Sequence, residues 1–336
     1  LIGKGSRQTE RLARVRLSIA ERLYRLAGNM SLFLFAGFSI IITLLIGALL
    51  LKKVYTPEMP AGWLIVLGFI ITVSVSHFVF ALANWIATLA VRPDILPRMD
   101  FSRGIPSTSK TLAVAPAMMD SEEELDRLLE TMEIRFLANR DDNLHFALLT
   151  DFRDASAETL PGDAALLDLA KQKIIDLNKK YGCAVNDVFF IFHRPRKWNE
   201  RDKVWMGYER KRGKLADLNA LLRGRGKENF LLIVGEEDVY SKAKYVITLD
   251  TDTELPRDAA RNIAGAIAHP LNQAYYDPEK MRVTKGYAIL QPRVDNSMPK
   301  ADSSFYARMH GDEAGIDPYT RAVSDVYQDV FGEGSF

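Results

Sequence analysis

YVITLDTDTELP, residues 245–256, decides the fold. Its first half is an apolar, β-branched run of the kind that fills a strand buried on both faces, as parallel sheets require. The run leads straight into Asp250 and Asp252. A side-chain period of two puts both carboxylates on one side of an extended chain. At the mouth of a parallel sheet such a pair can hold a hard divalent cation and orient a phosphorylated ligand. Two like charges this close repel unless a cation lies between them. A calcium loop of the helix–loop–helix type is excluded, because Leu255 stands where that loop needs its turn glycine.

Outward from this stretch the same texture repeats. LAVAPA (112–117), HFALLT (145–150), VFFIFH (188–193) and YAILQP (287–292) read as further strands. Between them, 121–138, 163–180, 214–223 and 257–268 carry apolar residues at spacings of three and four, which predicts helices. Ser121 and Glu124 form a capping box at the first helix, and Pro256 stands near the first turn of the last. Strands alternating with helices imply a mostly parallel α/β sheet covered on both faces. Ligands of such sheets bind at the carboxyl ends of the strands. There HFALLT meets Asp151, placed to accept hydrogen bonds from a base or ribose. LAVAPA closes on Pro116-Ala117, read as a turn that lets backbone approach a flat ring.

GYERKRGKLADLNALL (207–222) gathers Arg210, Lys211, Arg212 and Lys214 around Gly213, just before a helix start. Backbone N–H groups and cations there suit a diphosphate. It is not a P-loop, since Leu215 follows Lys214 where that motif needs a hydroxyl. His77, His145, His193, His269 and His310 show neither metal-ligand nor triad spacing, and their expected role is structural.

The N-terminal third is different. Residues 31–51 and 63–91 are uncharged, each long enough at ~1.5 Å per residue to cross a hydrocarbon layer ~30 Å thick. Seven basic residues precede the first run (Lys4, Arg7, Arg11, Arg14, Arg16, Arg22, Arg25), and Arg92, Arg98, Arg103 and Lys110 follow the second. Only Lys52 and Lys53 lie between, so the positive-inside rule places both flanks in the cytoplasm. Residues 1–30, with Leu12, Val15, Ile19, Leu23 and Leu26 among arginines, read as a basic amphipathic segment. Over the whole chain 44 Lys+Arg balance 43 Asp+Glu, which excludes a generic basic nucleic-acid binder. One cysteine, Cys183, excludes a disulfide framework and multi-cysteine metal sites. A chain that begins at Leu1 and stops at Phe336 after a glycine-rich stretch reads as a piece of a longer polypeptide.

The order of these motifs resembles the family-2-like, GT-A-fold glycosyltransferases that use nucleotide sugars: a Pro-ended strand, an Asp-ended strand, a G-K-x-x-x-L-N helix start, then a strand into D-x-D. More narrowly, residues 96–118, 192–224 and 315–336 resemble the glycosyltransferase domain of bacterial cyclic β-1,2-glucan synthases. The resemblance implies a Rossmann-like, mostly parallel GT-A domain over 92–336, cytoplasmic and preceded by two transmembrane helices. It implies transfer of glucose from UDP-glucose, with inversion, to a β-1,2-glucan acceptor. It further implies Mg²⁺ or Mn²⁺ as the cofactor and a multi-pass location in a bacterial inner membrane.

Carried over by position, Asp151 contacts the uridine, and Lys214 and Asn219 line the nucleotide side. Pro116 and Arg212 complete that side. Asp250 and Asp252 are the metal pair, with Asp252 the direct ligand and the residue expected to be catalytic. Gln291 and Pro292 border the acceptor. Gly334 and Ser335 start the G-S stretch facing the donor sugar. The family's acidic general base lies C-terminal to that stretch, so it is expected beyond Phe336, with a phosphorylase-like domain elsewhere in the same polypeptide. A Q-x-x-R-W acceptor motif is absent from the sequence. Two other readings stay open: a processive, exporting synthase of the cellulose or hyaluronan type, and a non-enzymatic two-span membrane protein with a ligand-binding α/β domain. The last predicts that Asp250 and Asp252 can be changed without loss of function.

Overall fold

The computed structural model describes residues 12–13, 31–90, 96–181 and 187–292. The amphipathic reading of 1–30, Cys183, His310, Gly334 and Ser335 therefore fall outside the described residues, Leu12 and Ala13 apart. The chain divides into two compact units, 1–95 with 292–336 and 96–291.

In the first unit, α1 (Ser31–Val54) and α2 (Ala61–Ala90) match the two uncharged runs. Within them, Phe33–Val54 (22 residues) and Ala61–Ile86 (26 residues) are long and apolar enough to cross a membrane. The helices pack as an antiparallel hairpin. Phe35 meets Phe80 at 6.1 Å between ring centroids, and Gly47 faces Ile71 while Gly68 faces Leu51. Most of the remaining apolar surface looks outward, Phe33, Ile65 and Phe69 included. Ser39, Thr72 and Ser76 donate their hydroxyls to helix carbonyls of Phe35, Gly68 and Val73, so these polar groups do not need water.

In the second unit a five-stranded sheet has the order β6-β3-β2-β1-β7. β1 (Thr111–Met118), β2 (Leu144–Asp151), β3 (Phe189–Arg194) and β7 (Tyr245–Thr248) are parallel, while β6 (Leu232–Val234) runs antiparallel on the β3 edge. α3 (Glu122–Ala138), α4 (Asp163–Tyr181) and α7 (Ala259–Ala268) cover one face, packing Leu125, Leu129, Ile174 and Ala264 against Phe146, Leu148, Phe189 and Ile191. α5 (Arg210–Leu222) and the short α6 (Glu237–Tyr240) cover the other, where Leu218, Leu221 and Tyr240 meet Leu149, Phe190 and Phe192. A hairpin of β4 (Lys197–Asn199) and β5 (Val204–Met206) follows β3, and a second of β8 (Tyr275–Asp277) and β9 (Arg282–Lys285) follows α7. This mixed α/β layering is consistent with a GT-A-like domain. Each fully buried Phe or Leu contributes roughly 1.5–3 kcal/mol to it.

Several local expectations need correction. YAILQP is not a strand: Tyr287 makes one isolated bridge to Gln273, and Ile289 is 85% exposed, with no neighbouring strand among the described residues to pair with. Pro116-Ala117 is not a turn but part of β1, opposite Leu149 and Thr150. The proline is tolerated because Val114 accepts from Leu249 N–H on the β7 edge and β7 pairing ends there. Pro116, two residues on, therefore turns its missing donor to an unpaired edge. α5 starts at Arg210 rather than 214, so the basic cluster forms the first turn of the helix rather than preceding it. Pro256 precedes α7, whose cap is Asp258. At α3, Ser121 accepts from Glu124 N–H at 3.1 Å, but the Glu124 carboxylate binds Arg127 rather than closing the capping box.

Candidate functional site

The carboxyl ends of β1, β2, β3 and β7 carry two charged clusters of opposite character. The first is buried. Asp151 and Arg194 stand side by side in register at the ends of β2 and β3. Arg194 Nε and Nη2 donate to the two Asp151 oxygens at 2.9 and 3.0 Å, while Nη1 donates to Asp217 of α5 at 2.6 Å. Lys214 places its ammonium on the Ala117 carbonyl and 3.4 Å from Asp151. Burial works against the Arg194 charge, but the hydrogen bonds to Asp151 and Asp217 outweigh it and raise its pKa. For Lys214 burial wins and lowers the pKa, with Asp151 opposing. Gly207 lies flat over this cluster. A Cβ there would come within 2.1 Å of Asp151 Oδ2, so only glycine lets β5 turn into α5 across the carboxylate.

Of two buried histidines in the sheet, His193 lies beside this cluster near the end of β3, while His145 stands at the amino end of β2. His193 meets Thr150 Oγ1 at 2.8 Å, and His145 lies 3.0 Å from the Asp187 carbonyl. The Nε2 atoms of both are buried without a partner. Burial pushes His193 down to about 3 and His145 down to about 4. Beside His193, Arg196 pairs with Asp163 at 2.5 Å and sits over the Phe152 ring, which fixes the loop after β2.

The second cluster is exposed and sits on the rim. β7 stops at Thr248, and the chain then turns: Thr253 N–H donates to Asp250 carbonyl at 3.1 Å. Asp250 and Asp252 therefore lie in a tight turn and not on one side of an extended strand, a correction to the period-two argument. Lys211, from the first turn of α5, pairs with Asp250, and Arg210 pairs with Asp154 at 2.5 Å. Glu209 and Arg210 are both left-handed, with φ of 54° and 49°, where non-glycine residues carry strain.

The remaining expected residues are scattered by comparison. Arg212 is exposed and paired with Glu209 at 3.2 Å. Asn219 is exposed and five positions after Lys214, about 140° round the helix, so the fold does not bring the two together. Gln291 and Pro292 are exposed near the end of the described residues.

No family model matches the chain. Across 337 aligned positions it is 37% identical to Cyclic beta-(1,2)-glucan synthase NdvB of Rhizobium meliloti (strain 1021). The chain is a relative of that synthase. The match takes in all of the chain, and so all three stretches that carried the sequence resemblance, but it spans only 12% of the synthase's length.

Two features of this segment were not anticipated from sequence. One is Arg194, the partner that occupies both oxygens of Asp151. The other is Arg135 in the last turn of α3, buried to 5% exposure beneath the β7 turn. Its Nη2 donates to the carbonyls of Asp250, Thr251 and Thr253 at 2.7, 3.0 and 2.7 Å, and its Nε to Thr253 at 3.2 Å. The available signal was a charge where the apolar face of α3 (Leu125, Leu128, Leu129, Met132, Phe136) predicts a hydrophobe.

Among the described residues no three His, Cys, Asp or Glu side chains converge as a metal cage. The exposed pair Asp250 and Asp252 offers hard oxygen donors only. That fits Mg²⁺ or Mn²⁺ held by one or two carboxylates and completed by phosphate oxygens.

Proposed function

We propose that this chain is the donor-binding part of an inverting membrane glycosyltransferase that moves glucose from UDP-glucose to the 2-hydroxyl of a β-1,2-glucan. Identity of 37% to a cyclic β-(1,2)-glucan synthase along the whole chain carries the reading. The acidic turn and basic helix start at the ends of parallel strands support it.

UDP-glucose is α-linked, so one direct displacement gives a β product. The acceptor oxygen bonds to the anomeric carbon, the bond to UDP breaks, and the hydroxyl proton goes to a base. Asp252, with Asp250, would hold Mg²⁺ or Mn²⁺, which would offset negative charge growing on the departing UDP. Arg210 and Lys211 at the first turn of α5 add fixed positive charge where a diphosphate would lie. Asp151, Lys214 and Arg194 act from below: their internal pairing fixes the floor on which the base and ribose rest. α1 and α2 anchor the domain in the bacterial inner membrane with both long flanks in the cytoplasm.

The test is glucose transfer by membranes carrying the protein. Labelled UDP-glucose should yield label in β-1,2-linked glucan, and Asp252→Asn should lower the rate at least 100-fold at equal protein level. Transfer by the variant at the wild-type rate, or label in another linkage, would contradict the proposal.

A further inference from the structure

We propose that Arg135 is a positioning residue for the Asp250–Asp252 turn, setting the geometry on which the cation affinity of those carboxylates depends. The inference rests on the donor-site reading above and names a residue outside the acidic pair and the basic helix start. Three successive features support it.

First, the contacts are aimed at the turn itself. One guanidinium collects the carbonyls of Asp250, Thr251 and Thr253 through four hydrogen bonds, although Arg135 is 115 or more residues away in sequence. Nη2 alone reaches all three carbonyls and Nε adds a second bond to Thr253; a lysine ammonium could take the Nη2 place but has no counterpart to Nε. Second, the charge is not there for an ion pair. Arg135 is buried, and none of the described carboxylates lies within salt-bridge distance of it. Its donors are taken up by backbone carbonyls of the turn instead.

Third, the same helix end grips the rest of the loop. Asn139 donates to the Leu255 carbonyl at 3.1 Å and accepts from Ala260 N–H at 3.1 Å, and the Ala138 carbonyl accepts from Asp258 N–H at 3.3 Å. Three residues at the C-terminus of α3, Arg135, Ala138 and Asn139, thus set the loop from Asp250 to Ala260. The exposed carboxylates on that loop need no hold on solvent to keep their place. Sites that require carboxylates within a fraction of an ångström depend on such supports.

The experiment uses the detergent-solubilised protein and its Arg135→Gln and Arg135→Lys variants, with hydrogen exchange in β2 as the check that each is folded. Two quantities are read: UDP affinity with Mn²⁺ and with EDTA, and exchange of the 250–254 amides. The expected result is a fall of about tenfold or more in the Mn²⁺-dependent affinity of Arg135→Gln, with the affinity in EDTA unchanged. Arg135→Lys should recover part of the loss, and the turn amides should exchange faster in step with it. Unchanged Mn²⁺-dependent affinity, or unchanged exchange at 250–254, would overturn the assignment. If the wild-type protein itself binds no UDP with Mn²⁺, the donor-site reading fails, and exchange at 250–254 alone then decides whether Arg135 sets the turn.

Discussion

Two charged clusters crown the same sheet and have been built for opposite ends. Asp151, Arg194, Asp217 and Lys214 sit under Gly207, their polar atoms answered by one another. Asp250 and Asp252 stand on the rim, where Lys211 pairs with the first. Low dielectric makes the buried cluster costly to break, whereas solvent makes the rim pair cheap to rearrange. The contrast assigns the buried cluster to holding strand ends in place and the rim to meeting a ligand.

Removing one buried partner is the strongest way to break this contrast. Asp151→Ala leaves the Lys214 ammonium without its carboxylate and Arg194 with Asp217 alone, with an expected loss of about 3–5 kcal/mol in unfolding free energy. Urea titration of the 96–291 unit's fluorescence in the solubilised protein measures it. A loss below 1 kcal/mol would mean the cluster is not a structural floor.

Acid should sharpen the same point. His193 and His145 are held at about 3 and about 4, below an unfolded value near 6.5. The unfolded chain then binds more protons between pH 4 and 6.5. Stability is full above that window and falls as pH drops through it, by about 1.4 kcal/mol per pH unit for each histidine. Urea midpoints at pH 7 and pH 5 should differ accordingly, and His193→Gln should flatten the slope. Equal midpoints would show that these rings titrate normally.

The smallest effect belongs to the rim. Lys211→Ala should change stability by less than about 1 kcal/mol, because its pair with Asp250 is exposed. A larger loss in the same titration would move the rim into the structural class.

What the sequence could reveal follows the same division. Local patterns were legible: the apolar runs of β1, β2, β3 and β7, the helical spacing of α3 and α4, and the uncharged lengths of α1 and α2. The acidic pair and the basic helix start were found because each is a short motif. The residues that support them were not, since Arg194 reaches Asp151 across 43 positions and Arg135 reaches the β7 turn across 115 or more. Such pairings depend on strand order, and no spacing rule reports them. Pro116 was misread because proline signals a break unless the partner strand on that edge has already ended. Asp250 and Asp252 were misread because the strand stops at Thr248 and the chain turns, where the period-two argument carries it on through Asp252.

The most direct test of the account is calorimetric titration of UDP into the solubilised protein with Mn²⁺ and with EDTA, for wild type and Asp252→Asn. Binding that needs both the metal and Asp252, in a variant whose urea midpoint matches wild type, is the predicted result. Equal UDP binding by wild type and Asp252→Asn in Mn²⁺ would contradict the assignment of the rim turn to the donor site.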